Sequence, residues 1–247
     1  MNLEVKNHKY QKAKVIGLTS DTFINIDNYV ATVIASYLLR DKKVAVVNFD
    51  QDGNEKTLLD LIYIYHPEDF YLQDIGQFPK YEFDNHRHYS LELLKFSKVK
   101  ALISWLEEKD FSLIDNISSL EELRIKLLLQ EDVDLVIIKG IEKAKLNVAD
   151  FDIEDFFKRI KLIATEKDCS ILIPLSISPY KRVIKKEEAI YKKYIYSKFQ
   201  KFADEIINLA EYDNGKKLKA KASVSAENWE YIVEYPHFRS LLKSINN

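Results

Sequence analysis

The stretch Lys14 to Asp50, KVIGLTSDTFINIDNYVATVIASYLLRDKKVAVVNFD, decides how the rest of the chain is read. Residues Ala13 to Leu18 alternate and are rich in strand formers, which predicts a first strand. Asp27 to Leu39 carries apolar residues at Val30, Val33, Ile34, Tyr37 and Leu38, the spacing of one helix face. Lys43 to Phe49 is a nearly continuous apolar run, as for a strand covered on both faces. Strand, loop, helix and strand in this order open a nucleotide-binding α/β domain. The loop between them normally reads GxxxxGK[ST], because glycine lets backbone N–H groups curl round phosphate and lysine neutralises it. Here it runs Thr19, Ser20, Asp21, Thr22, Phe23, Ile24, Asn25, Ile26, Asp27, with neither glycine nor lysine. The scaffold is present and the phosphate chemistry is missing.

The bulk numbers bound the alternatives. A chain of 247 residues can bury a full core in one large α/β domain. No Pro/Gly/Ser-rich linker divides it, so residues 1–12 read as a tail and 13–247 as one domain. Five glycines and five prolines leave little material for long flexible loops. A net charge of −2 gives no global attraction to nucleic acid, so any such binding must come from a local patch. Cys169 is the single cysteine, which excludes a disulfide framework and favours a reducing, cytoplasmic setting. No apolar run approaches the roughly 18 residues of a membrane span. The opening MNLEVKNHKYQK lacks the apolar core of a signal peptide.

Further along, Thr57 to Tyr65 and Leu91 to Glu108 are expected to be helical, and Phe111 to Asp115 a short strand. Ser118 or Ser119 with Glu121 and Glu122 forms a capping box for a helix over Leu120 to Gln130. Asp134 to Ile138 is a buried strand, Ile153 to Lys167 an amphipathic helix, and Cys169 to Leu175 another strand. Ala203 to Leu209, Lys216 to Ala222 and Trp229 to Tyr235 are strand-like, with an Asn214-Gly215 turn signal that predicts an antiparallel hairpin. Alternating strands and helices imply a mostly parallel sheet with right-handed crossovers.

The order of elements resembles the RecA-like ATPase domain of DnaB-type replicative helicases, over roughly residues 13 to 243. FSLIDNISSLEELRIKLLLQEDVDLVIIKGIEKAK (Phe111 to Lys145) is similar to that family's acid-ended strand, capped helix and Walker B strand. IKLIATEKDCSILIPLSIS (Ile160 to Ser178) looks like its helix and sensor strand, and FADEIINLAEYDN (Phe202 to Asn214) like the strand after it. KLKAKASVSAENWEYIVEYPHFRSL fits its closing hairpin and tail. The N-terminal third also resembles ParA/MinD-type ATPases, whose opening is close to VIGLTS, a helix and KKVAVVNFDQDGN.

The resemblance implies catalytic groups, and the chain departs from it at most of them. The Walker B acid should close the strand DLVII, but Lys139 stands there, and lysine repels a metal ion. Asp134 lies at the strand's other end, about 16 Å away at roughly 3.3 Å per residue. The sensor strand has Ile177 where the family carries glutamine. Ala220-Lys221 matches the dipeptide before the arginine finger, and Ser223 stands about where arginine is expected. Asp50 alone matches the position of the family's catalytic carboxylate, and Glu142 is the nearest substitute for a metal acid. Phosphoryl transfer depends almost wholly on positioning and electrostatics, so losing lysine, acid and arginine together implies a pseudo-ATPase. Lys139 then reads either as a solvated lysine at a strand end or as a built-in cation filling the site and paired with Asp50.

Other candidates fall outside that site. The segment SPYKRVIKKEEAIYKKYIYSKFQK carries Lys181, Arg182, Lys185, Lys186, Lys192 and Lys193 among tyrosines, where the helicases place a loop that tracks single-stranded DNA. Basic groups with aromatic faces suit phosphate tracking and base stacking. The alternative is a solvated helix whose aromatics pack inward. Glu82, Asp84, His86 and His88 alternate as metal ligands could on a strand, though Asn85 and Arg87 among them suit an exposed loop, and no metal is assigned. Cys169 opens an apolar strand and reads as a buried, inert thiol.

The expectation is a catalytically silent RecA-like domain without a cofactor. It would work by binding protein partners in DNA replication or mobile-element maintenance, or single-stranded DNA, with self-association possible for such domains. The alternatives are a divergent active NTPase using Asp50 and Glu142, or a ParA/MinD-like pseudo-ATPase.

Overall fold

The computed structural model describes residues 14–20, 26–50, 53–54, 57–58, 60–61, 104–147, 151–175, 186–212, 217–224 and 230–234. The elements are β1 (Val15–Ser20), α1 (Ile26–Leu38), β2 (Val44–Asn48), β3 (Phe111–Ile114), α2 (Leu120–Leu128), β4 (Leu135–Lys139), α3 (Ile141–Asn147), α4 (Ile153–Lys167), β5 (Ser170–Leu175), α5 (Lys186–Phe202), β6 (Glu205–Tyr212), β7 (Lys217–Val224) and β8 (Glu230–Glu234). The described residues of 53–61 and 104–107 are also helical.

One sheet holds all eight strands in the order β3-β2-β4-β5-β1-β6-β7-β8. The pairs from β3 to β6 are parallel, and β6–β7 and β7–β8 are antiparallel. This is the expected mostly parallel sheet with a C-terminal hairpin. Because successive strand residues point to opposite faces, each buried strand feeds two cores. Val15, Ala45, Val47, Val136, Ile138, Ile171, Ile173 and Ile206 join the core beneath α2, α3, α4 and α5. Ile16, Leu18, Val44, Val46, Leu135, Ile137, Leu172 and Ile207 join the one beneath α1. A strand buried on both faces must be apolar throughout, which is why the continuous runs were readable.

Element ends depart from expectation in a few places. β1 extends through Ser20, because Thr19 pairs with both Leu175 and Asn208 and Ser20 with Leu209. Thr19 and Ser20 are therefore buried strand residues, each 2% exposed, and do not belong to the loop. β4 likewise includes Lys139, paired in register with Asn48. α3 is a seven-residue helix that the sequence pattern did not single out. α5 occupies much of the basic segment, as the inward-packing alternative requires. Ile195 and Phe199 are buried in the core, and Tyr191, Tyr196 and Phe202 pack against it.

Candidate functional site

The parallel strands end together at one edge of the sheet, where α/β proteins place their ligands. Lys139 closes β4 there. It falls two residues after Ile137 and four after Leu135, so the alternation of the strand aims it at the α1 face. Lys139 is 7% exposed and is not a solvated strand-end lysine. Its Nζ lies 3.2 Å from Asp27 Oδ1 and 3.6 Å from Asp60 Oδ2, and it donates to Thr57 Oγ1 at 3.2 Å. Asp27 is carried by the first turn of α1, where the helix N-terminus favours a carboxylate. Thr57 and Asp60 come from the helical residues after β2, and Thr57 Oγ1 donates to the Gly53 carbonyl at 2.7 Å. One ammonium thus ties β4, α1 and the segment after β2.

The built-in cation reading holds, but its partner was misassigned. Asp50 is exposed and is not among the groups that meet Lys139. It lies just beyond β2, where its carbonyl accepts from Gly53 N at 3.0 Å. Gly140 packs against it with φ +72°, and a Cβ there would meet Asp50 N at 3.2 Å. Glu142 sits half-buried in the first turn of α3 and does not reach Lys139 either. Asp134 works at the opposite edge of the sheet, accepting from Lys42 Nζ and from Lys43 N, each at 2.9 Å.

A second polar chain lies beside the first. Asn48, 2% exposed, donates through Nδ2 to Asn54 Oδ1, and Asn54 Nδ2 donates to Asp115 Oδ2 at 2.8 Å. A Cβ on Gly53 would stand 2.5 Å from Asn48 Cβ, so glycine lets the helical segment close over the strand end. Sequence reasoning missed Asn48, Asn54, Thr57 and Asp60. The available signal was Asn48 itself, a polar residue closing the apolar run VAVVN.

The other sequence candidates do not converge here. Asp21, Thr22 and Asn25 of the loop, Ile177, Lys181, Arg182, Lys185 and the Glu82–His88 cluster lie outside the described residues. Lys186, Lys192 and Lys193 belong to α5, and Lys193 is exposed. Tyr194 is 43% exposed with the Lys198 ammonium 5.3 Å from its ring centre. Lys198 also pairs with Glu154, which lowers the carboxyl's pKa and raises that of the ammonium. Lys221 is exposed on β7, two strands out from β1, and Ser223 is in the same strand. Burial pushes the Cys169 thiol up to about 11, so it is no nucleophile near neutral pH. Among the described residues, no helix is long and apolar enough to cross a membrane.

No protein-family model matches the chain, and no curated protein matches it. Solved structures do. The ATPase domain of one DnaB-like helicase superposes with a TM-score of 0.61 at 11% identity, over 95% of this chain and 84% of that one. A second DnaB-like replicative helicase, described with its interactions with primase, also gives 0.61 at 11% identity, over 91% of this chain. The present chain spans only 55% of that second helicase. At such identity the likeness is one of architecture: the chain has the RecA-like α/β fold of helicase-type ATPase domains.

Proposed function

We propose that this domain is a pseudo-ATPase that acts by binding rather than by phosphoryl transfer, with its nucleotide site closed by its own side chains. The observation that carries this reading is the buried Lys139–Asp27–Asp60 cluster. A phosphate-binding site needs positive charge at the start of the first helix and a carboxylate for Mg²⁺ at the Walker B strand end. The charges here are reversed at both points. Asp27 repels phosphate, Lys139 repels the metal, and the two neutralise each other. Removing such a pair from its partners to admit a ligand would strand charges in a semi-buried site, which costs about 3–5 kcal/mol.

With the site closed, the fold serves as a surface. One structural neighbour is described with primase, and both are helicase-type, so proteins of DNA replication or of mobile-element maintenance are the proposed partners. A single-stranded DNA version rests on α5, where Lys193 and Tyr194 are exposed. Titration calorimetry with Mg·ATP at millimolar concentration is expected to give no binding heat, and measurable binding would sink the pseudo-ATPase reading. Anisotropy with labelled single-stranded DNA separates the two binding versions. Affinity that weakens steeply with salt supports nucleic acid, and none at low salt leaves protein partners.

A further inference from the structure

Asp27, Thr57 and Asp60 present oxygen atoms to one point, and the Lys139 ammonium sits at it. Thr57 gives its own proton to Gly53, so a lone pair faces Nζ. Two carboxylates face this one ammonium, and their side chains are only 23% and 13% exposed. Like charges held this way need a cation between them. The Asp60 oxygen is at 3.6 Å, beyond hydrogen-bond reach, so the ammonium does not fully close the cluster. A further oxygen stands unused beside it. Asn48, opposite Lys139 in register, is 2% exposed, and its Oδ1 accepts no hydrogen bond among the described residues. That oxygen lies 2.8 Å from where a Cβ on Gly53 would be, against the turn that anchors Thr57.

We infer that Asp27, Thr57 and Asp60 form a cation cradle whose resident cation is Lys139, and that the cradle takes up a free hard divalent cation once that side chain is removed. The inference rests on the reading of Lys139 as the occupant of the closed site. All the donors are oxygens, the set that suits magnesium, manganese or calcium. In the native chain the cradle gives this sheet edge a tie that needs no ligand, joining β4 to α1 and to the segment after β2.

The test uses the full chain with Mn²⁺ as probe, read by thermal denaturation and by electron paramagnetic resonance. The wild-type midpoint should be indifferent to millimolar Mn²⁺. Lys139→Ala should melt about 10 °C lower, bind one Mn²⁺ per chain and recover much of the loss with it. Adding Asp60→Asn to Lys139→Ala should abolish the uptake. A Lys139→Ala protein no more sensitive to Mn²⁺ than wild type would overturn the inference. If that variant does not fold, Lys139→Met decides, since it keeps the stem and removes the charge. Lost stability that Asp60→Asn partly restores supports the cradle, and wild-type stability or no restoration overturns it. Mg·ATP binding by the wild type would defeat the pseudo-ATPase reading by a different readout, leaving these metal results to be judged alone.

Discussion

Gly17 stands in the middle of β1, where glycine ordinarily weakens a strand. The reason for it is Phe199 of α5: a Cβ on Gly17 would lie 2.1 Å from the ring's Cε1. Phe199 is fully buried and packs its ring 5.0 Å from that of Phe157, so it has little room to retreat. Gly17→Ala should therefore cost about 1–3 kcal/mol of stability, the usual range for an overpacked core. Urea denaturation measures it, and adding Phe199→Leu should return part of the loss. An unchanged midpoint in Gly17→Ala would mean that the ring does not occupy this place. Nothing in VIGLTS marks Gly17 as a contact point, because its partner is carried by a helix far along the chain. Lys139 was conspicuous for the opposite reason: a charge closing an apolar strand demands an explanation. Its carboxylates were not legible, since Asp27 sits in an ordinary helix start and Asp60 in an unremarkable helical stretch. Which acid meets which base is decided by strand order and by the rise of α1 over the sheet, and neither is written locally.

At the scale of elements, the helices that could be read were those with two agreeing signals. α4 was bounded correctly because its apolar face and its ends coincide. Asp152 caps it by accepting from Asp155 N at 2.8 Å, and Asp168 ends it in a left-handed conformation with φ 51°. α3 escaped notice because seven residues hold too little of a helical period. The basic segment was harder, since lysines and tyrosines give the same pattern on a solvated helix as on a DNA-tracking loop. For α2 the expected capping box is present with one change. Ser119 accepts from Glu122 N at 3.0 Å, but the Glu122 carboxylate returns to Ser118, accepting from its N at 2.8 Å and from its Oγ at 2.5 Å. Lys126, then Ser118, hold the Glu122 carboxyl well below its usual range, down to about 2. A depressed carboxyl stabilises the fold above its unfolded value, near 4.5, and that contribution is lost as pH falls through about 2. Glu122→Gln should thus remove part of the acid dependence of stability between those limits. Ser119→Ala should cost about 1 kcal/mol at every pH, by loss of the cap. Denaturation of both variants across an acid series checks this, and an unaltered pH profile for Glu122→Gln would refute it.

The whole molecule is organised around a strand that begins early and is completed late. β1 lies between β5 and β6, so its neighbours arrive only after most of the chain has been made. Such pairings have high sequence separation and must bear loop-closure entropy before they are rewarded. Once formed, β1, β4 and β5 are covered on both faces, with every residue of each buried. β8 is joined to the described sheet only through β7, at the end of the strand order. Opening free energy should therefore fall along the sheet from its centre toward the hairpin. In native-state hydrogen exchange, the amides of β1, β4 and β5 should exchange only with global unfolding, and those of β8 first. The cluster around Lys139 adds a sharper expectation. In a domain that needs a nucleotide to join its strand ends to its first helix, protection at this edge rises when nucleotide is added. Here Lys139 already makes the joint, so protection around Asp27, Asn48 and Lys139 should be high without any ligand and unchanged by Mg·ATP. In Lys139→Met the same amides should lose protection while the hairpin does not. Equal loss in both places would mean that Lys139 supports overall stability alone, and that the sheet edge is held together by something other than its charge.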